Sequence, residues 1–130
     1  MHSTTETFSS AALMKIVGTD TEMLTELLEA FRAQSPVVLS DMRTAMASGN
    51  ARRLSDAAHL MQNVVAMAGG VAGREIARRV ESTANLGHVN GAGGLVDLQA
   101  ADLATLAAAF ASFVARTTAM PDGTGLEGQR

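Results

Sequence analysis

Residues 50–70, NARRLSDAAHLMQNVVAMAGG, decide the fold. Apolar side chains recur there at steps of three and four, the period of a helix that buries one face. Asn50 is a good N-cap, and the two glycines at the end of the stretch accept the backbone conformation that stops a helix. The stretch therefore predicts one amphipathic helix, whose buried face consists of Leu54, Ala58, Met61, Val65 and Ala68.

His59 is expected on the solvent side of this helix. At about 100° per residue it lies roughly 140° from the centre of the apolar stripe. Most single surface histidines are ordinary solvated side chains, and this interpretation holds for His2 and His88. Several of the neighbours of His59 on the helix surface have small side chains. These neighbours are Ser55, Asp56, Gln62, Asn63 and Ala66.

Two further helices are predicted before this stretch. Ser9 or Ser10 can cap a short helix, and residues 19–22 form a capping box for a long one. Pro36 interrupts the long apolar stripe. Because proline lacks a backbone donor and clashes with the preceding turn, we expect a kink there, or a restart capped by Ser35.

After the stretch, the apolar periodicity predicts helices over about 71–86 and 95–117, separated by the glycine-rich loop 87–94. No segment shows strand alternation, and no repeat is visible. The sequence therefore predicts an all-α fold, an antiparallel up-down four-helix bundle with a short additional N-terminal helix.

We expect one domain over residues 9–118, with a disordered N-terminal segment over 1–8 and a disordered tail over 119–130. A chain of 130 residues leaves little room for a second domain.

The composition excludes several classes of function. The chain has no cysteine, which removes disulfides and thiolate sites. Its net charge of −3 and its lack of Trp and Tyr argue against nucleic-acid binding. The apolar stretches 64–73 and 104–115 are shorter than the roughly 20 residues that span a bilayer. No secretory signal is visible, so we expect a cytoplasmic protein that does not bind membranes.

The chain resembles the histidine-phosphotransfer (Hpt) family over residues 13–114. The resemblance implies a four-helix bundle with an exposed histidine near its middle. It is carried by the Gly18-Thr19-Asp20 start of the long helix, Phe31, the Gly49-Asn50 turn, the Ala58-His59 pair, Gly69 and the Val80-Glu81 pair.

The short motif around the histidine departs from the family pattern. The family usually shows His-x-x-Lys-Gly, whereas this chain has His59-Leu60-Met61-Gln62-Asn63. Gln62 keeps hydrogen-bonding ability but lacks the lysine charge that helps to hold a phosphoryl group. Asn63 adds a side chain where the family glycine leaves room for a partner.

The resemblance implies a phosphocarrier rather than an enzyme. His59 would accept a phosphoryl group from a receiver-domain aspartate and return it to another receiver. The implied partners are receiver domains of a hybrid histidine kinase and a response regulator. The receiver would supply Mg²⁺, so this chain would need no metal or cofactor, and we expect a monomer.

Glu81 matches a family position that holds a hydrogen-bond partner of the histidine. Alternatively, Glu81 is a surface carboxylate that pairs with Arg78 or Asn85. Arg78 and Arg79 could replace part of the missing lysine charge or form a solvated basic face. Leu60 and Val64 could dock a partner or pack inside the bundle. The expected partner-binding residues are Ser55, Leu60, Gln62, Asn63, Ala66, Arg78 and Arg79.

Two alternative functions differ from that of a phosphocarrier. The first is an Hpt-like docking module that binds a receiver or kinase without efficient transfer, which Gln62 and Asn63 motivate. The second is a metal-binding or hydrolytic bundle. The three histidines are dispersed and no Glu-x-x-His, phosphate loop or Gly-x-Ser-x-Gly motif occurs, so the sequence argues against it.

Overall fold

The computed structural model describes residues 6–18 and 20–119, and these residues fold almost entirely as helices. The predicted all-α class is confirmed. A single 3₁₀ turn, Asn90–Ala92, precedes the last helix. The α-helices are α1 (Ser10–Val17), α2 (Thr21–Ala47), α3 (Ala51–Ala66), α4 (Ala72–Asn85) and α5 (Gly93–Ala119).

Helices α2 to α5 form a four-membered ring. Helix α3 packs between α2 and α4, and α5 closes the ring by contacting both α2 and α4. Contacts between opposite ends of neighbouring helices show that α3 runs antiparallel to α2 and α4, and α5 antiparallel to α2. Between α2 and α3, Asp41 Oδ1 lies 3.6 Å from Arg53 Nη2. Between α3 and α4, Ser55 Oγ lies 2.7 Å from Asn85 Oδ1, and between α2 and α5, Arg43 Nη2 lies 3.8 Å from Asp97 Oδ1.

The core lies inside this ring and is made of aliphatic side chains around two phenylalanines. The Phe31 and Phe110 ring centroids lie 6.3 Å apart in a tilted arrangement, which stabilises the core beyond the area that the rings bury. Around them, the larger fully buried side chains are Leu13, Leu24, Met42, Leu54, Met61 and Leu106.

Side-chain caps begin three of the helices. Ser9 Oγ accepts a hydrogen bond from Ala12 N, and Asn50 Oδ1 accepts one from Arg53 N, so both predicted caps are confirmed. At the start of α2, Asp20 Oδ1 accepts from Met23 N. Thr19, the first residue of the predicted capping box, lies outside the described residues.

Pro36 lies inside α2, which continues without interruption from Thr21 to Ala47. The predicted restart capped by Ser35 is therefore wrong, and Ser35 is buried within the helix. Proline costs the helix one backbone hydrogen bond. The apolar face continues on both sides, with Phe31 before the proline and Val38 after it packed in the core, and this burial offsets the loss.

The N-terminal residues 6–8 contact the start of α4. The carbonyl groups of Glu6 and Thr7 accept hydrogen bonds from the backbone N–H groups of Ala72 and Val71, at 3.0 and 3.1 Å. They satisfy donors at the start of α4 that have no partner within the helix. The predicted boundaries at residues 9 and 118 stay a prediction: residues 6–8 contact α4 and residue 119 ends α5, while residues 1–5 and 120–130 of the predicted disordered ends lie outside the described residues.

Phe8 anchors this N-terminal segment on α5. Its ring stacks on Phe110 with centroids 6.2 Å apart and tilts against Phe113 at 5.6 Å. The segment thereby covers one end of the core, which sequence periodicity could not reveal because the segment is not helical.

The segment Asn90–Thr118, which contains most of α5, is long and apolar enough to qualify as a membrane span by length and composition. In this fold, however, α5 packs its Val96, Leu106 and Phe110 into the bundle core. Core helices rich in alanine pass the same length and hydropathy criteria.

Candidate functional site

Helix α3 presents His59 to solvent from the middle of its length. The residues around it on the helix, Ala58 and Met61, are fully buried and fix the rotation of α3 against the core. The His59 side chain is consequently 67% exposed, as its position relative to the apolar stripe predicts.

Glu81 reaches His59 from α4. Val80 and Ala84 point into the core and leave Glu81 at the edge of the α3–α4 interface, where its side chain is 25% exposed. Glu81 Oε2 lies 3.1 Å from His59 Nδ1. Within the described residues Glu81 forms no ion pair with Arg78 and no hydrogen bond with Asn85, the two partners of the alternative interpretation.

Gln62 binds the other oxygen of the same carboxylate. Its amide Nε2 donates a hydrogen bond of 2.6 Å to Glu81 Oε1. Gln62 lies one helical turn after His59, so both side chains reach Glu81 from the same face of α3. The sequence predicts Gln62 as a partner-binding residue but does not predict this contact, because no spacing rule links two residues on different helices.

The contact with Glu81 sets the tautomer of a neutral His59 ring. An ionised carboxylate only accepts hydrogen bonds, so the neutral ring carries its hydrogen on Nδ1. This assignment follows from the hydrogen-bond network. Nε2 then has the free lone pair, and within the described residues no side chain binds it. The arrangement offers an exposed, nucleophilic ring nitrogen backed by a carboxylate.

The remaining predicted residues on α3 surround His59 in different ways. Leu60 is 47% exposed beside it. Asn63 is exposed and Ala66 is half-buried. Ser55 Oγ donates a 2.7 Å hydrogen bond to Asn85 Oδ1, which ties the start of α3 to the end of α4.

Val64 is 1% exposed and packs in the core, so the interpretation that it packs inside the bundle is confirmed and the docking alternative is not. Helix α3 is buried against both α2 and α4. Its apolar face is therefore wider than the stripe read from the sequence and also includes Ala57 and Val64.

The two predicted arginines lie on different sides of α4. Arg78 forms a bidentate ion pair with Glu75, at 3.1 and 2.6 Å, and lines a surface groove with Gln62 and Arg74. The hydrogen bond from Arg78 lowers the pKa of Glu75. Arg79 instead lines a groove between α4 and α5, so the structure does not bring it together with His59.

No group of three or more His, Asp or Glu side chains is placed to hold a metal ion within residues 6–18 and 20–119. The candidate site consists of three side chains, His59, Gln62 and Glu81, which are joined by two contacts at the Glu81 carboxylate.

The sequence and the fold both match known proteins. The sequence matches the Hpt domain family over residues 26–116. Its fold is similar to the crystal structure of histidine-containing phosphotransfer protein B (HptB) from Pseudomonas aeruginosa PAO1, with a TM-score of 0.77 and 20% sequence identity. The alignment covers 84% of this chain and 95% of that chain. No protein of curated function matches the sequence significantly.

Proposed function

The chain belongs to the Hpt domain family, and from this premise we propose that His59 carries the phosphoryl group. Hpt domains are histidine phosphotransfer modules of two-component phosphorelays, and they act as phosphocarriers that interact with receiver domains. The observation that supports His59 is its 67% exposed imidazole, whose Nδ1 faces the Glu81 carboxylate.

In the proposed reaction, Nε2 of His59 attacks the phosphorus of an aspartyl phosphate on a receiver domain. The N–P bond forms as the P–O bond to the aspartate breaks, and the aspartate leaves with the electron pair. Nδ1 keeps its hydrogen, so the ring gains positive charge, which the Glu81 carboxylate stabilises. The reverse step delivers the phosphoryl group to a second receiver and returns a neutral ring.

The receiver supplies the other parts of the reaction. In-line transfer needs cations around the phosphoryl oxygens, and the Mg²⁺ of the receiver meets that need. We propose that the donor receiver belongs to a hybrid histidine kinase and the acceptor receiver to a response regulator. The proposed location is the cytoplasm, and the proposed state of the chain is a monomer.

The docking surface in this proposal is the exposed face of α3 around His59. Leu60 offers an apolar contact, and the nearby groove lined by Arg74, Arg78 and Glu75 has one more positive than negative charge. Receiver domains present an acidic phosphorylation pocket, so the sign of this charge favours their approach.

A docking module without efficient transfer is the second candidate, because Asn63 adds an exposed side chain one turn from His59. Replacing Asn63 with glycine tests it. A large gain in transfer from Asn63→Gly favours an impaired natural site, and an unchanged rate favours an active one.

The proposed function is tested by mixing the domain with a phosphorylated receiver and Mg²⁺. Acid-labile, base-stable phosphate on the domain is then followed. His88→Gln is the matched control, because His88 is also exposed but lies in the turn after α4. We expect label on the wild type and on His88→Gln but not on His59→Gln. Label on His59→Gln would contradict the proposal, and binding without any label would support the docking module.

A further inference from the structure

The side chain of Gln62 forms a hydrogen bond with Glu81 instead of extending into solvent. Its Nε2 lies 2.6 Å from Glu81 Oε1, and the contact is partly buried between α3 and α4. The two Glu81 oxygens are thus divided, with Oε1 bound by Gln62 and Oε2 by His59. The lysine that the family usually carries at this position is absent.

The bond from Gln62 limits the freedom of the Glu81 carboxylate. A glutamate has three side-chain torsions, and rotation about the last one exchanges its two oxygens. With Oε1 held by the Gln62 amide, Oε2 remains directed at His59 Nδ1. A fixed acceptor holds the imidazole in one tautomer and one orientation.

The neutrality of the Gln62 amide also matters. An amide donor fixes a carboxylate without cancelling its charge, whereas a lysine ammonium at the same place would pair with Glu81 as an ion. The full negative charge of Glu81 therefore stays available to the His59 ring when the ring becomes positive.

We propose that Gln62 is a positioning residue for phosphotransfer, which acts on His59 through Glu81 and keeps Nε2 as the nucleophilic nitrogen. This inference rests on the proposed role of His59 as phosphoacceptor. It assigns to Gln62 a role different from that of the family lysine, because Gln62 holds the carboxylate rather than the phosphoryl group.

A double-mutant cycle tests whether Gln62 works through Glu81. Methionine keeps the length of either side chain and removes its polar atoms, so Gln62→Met, Glu81→Met and the double variant are compared with the wild type. We expect Gln62→Met to slow transfer from a phosphorylated receiver about threefold to tenfold, the effect of one hydrogen bond.

In the Glu81→Met background the same substitution should change the rate by less than about twofold, because the partner of Gln62 is already gone. Equal losses in both backgrounds would overturn the inference, since Gln62 would then act directly on the phosphoryl group or on the receiver. Gln34→Met, at an exposed glutamine of α2, is the control for any effect of a glutamine-to-methionine substitution that does not depend on its position.

A second measurement needs no receiver. The ¹⁵N chemical shifts of the His59 ring nitrogens report the tautomer of the neutral, unphosphorylated ring. We expect predominantly the Nδ1–H form in the wild type and in Gln34→Met, and a mixture of tautomers in Gln62→Met. Identical ring shifts in wild type and Gln62→Met would overturn the inference.

The two measurements separate this inference from the proposed function. If the wild type takes no phosphate on His59, the proposed function fails whatever the tautomer. If His59 takes phosphate but Gln62→Met alters neither the tautomer nor the rate, only the role of Gln62 fails.

Discussion

Glu81 Oε2 lies 3.1 Å from His59 Nδ1 across the interface between α4 and α3, and it is the acceptor that assigns the ring hydrogen to Nδ1. The contact joins a solvent-exposed ring to a carboxylate that is three-quarters covered. A charge held at the edge of the bundle is less screened than a freely exposed one, so it stabilises positive charge on the ring more strongly.

Replacing Glu81 with glutamine should slow phosphotransfer about tenfold, because a charge-assisted hydrogen bond becomes a neutral one. The measurement is the transfer rate from a phosphorylated receiver under single-turnover conditions. The control is Asp97→Asn, which removes an exposed carboxylate of α5 that pairs with Arg43. A rate for Glu81→Gln equal to that of the wild type would mean that the carboxylate charge does not assist the transfer.

Leu60 should carry part of the receiver affinity. An exposed leucine beside the reacting histidine can be covered by the partner, and its truncation to alanine should weaken binding about tenfold. Leu98→Ala is the control, because Leu98 is exposed to a similar degree, 51% against 47%, but lies in the groove between α4 and α5. Titration calorimetry with an unphosphorylated receiver measures the binding affinity of both variants. Equal losses of affinity would place the docking surface elsewhere.

Asp102 should make the stability of the domain depend on pH. Its Oδ2 is buried without a hydrogen-bond partner among the described residues, and burial raises its pKa while the Thr7 hydroxyl opposes that shift. Because the folded state holds the proton more tightly than the unfolded chain, this contribution to stability is present at low pH. It is lost as the pH rises from the ordinary aspartate pKa through the raised one.

The Asp102→Asn variant removes this titration and should be more stable than the wild type at neutral pH, by about 1 kcal/mol. The gain should disappear below the ordinary aspartate pKa. The charged side chains that line the same groove are Arg79 and Glu75. Urea unfolding at a series of pH values checks the prediction, and a constant difference at every pH would refute it.

Gly69 should tolerate alanine worse than Gly87 does. Both glycines have positive φ angles, 73° and 82°, so alanine is strained at either position. At Gly69 an added Cβ would also lie 2.8 Å from the Ser9 carbonyl oxygen and 3.1 Å from the Phe8 ring, whereas at Gly87 it would meet nothing within 4 Å. We expect Gly69→Ala to be the less stable variant by about 1–3 kcal/mol in urea unfolding. Equal stabilities would show that the N-terminal segment moves aside without cost.

Local sequence patterns predicted most of the fold. The period of the apolar residues and the caps Ser9 and Asn50 depend only on neighbours within one turn, so they can be read without knowing the partners of each helix. The exposure of His59 follows from the same periodicity.

The features that sequence reasoning missed depend on distant contacts. Pro36 remains inside α2 because the flanking apolar face packs on other helices, which outweighs the local cost of proline. Ala57 is buried outside the predicted stripe because α3 packs against two neighbouring helices. The contact between Gln62 and Glu81 joins two helices whose relative rotation is set by the whole core.

The most direct test of the proposed function is to identify the atom that is phosphorylated. A domain with ¹⁵N-labelled histidines is phosphorylated by a receiver domain and studied by long-range ¹H–¹⁵N correlation spectroscopy together with ³¹P spectroscopy. We expect one phosphohistidine, His59, with phosphorus on Nε2 and the Nδ1 hydrogen retained toward Glu81. Phosphorus on Nδ1 of His59, or on any other residue, would contradict it.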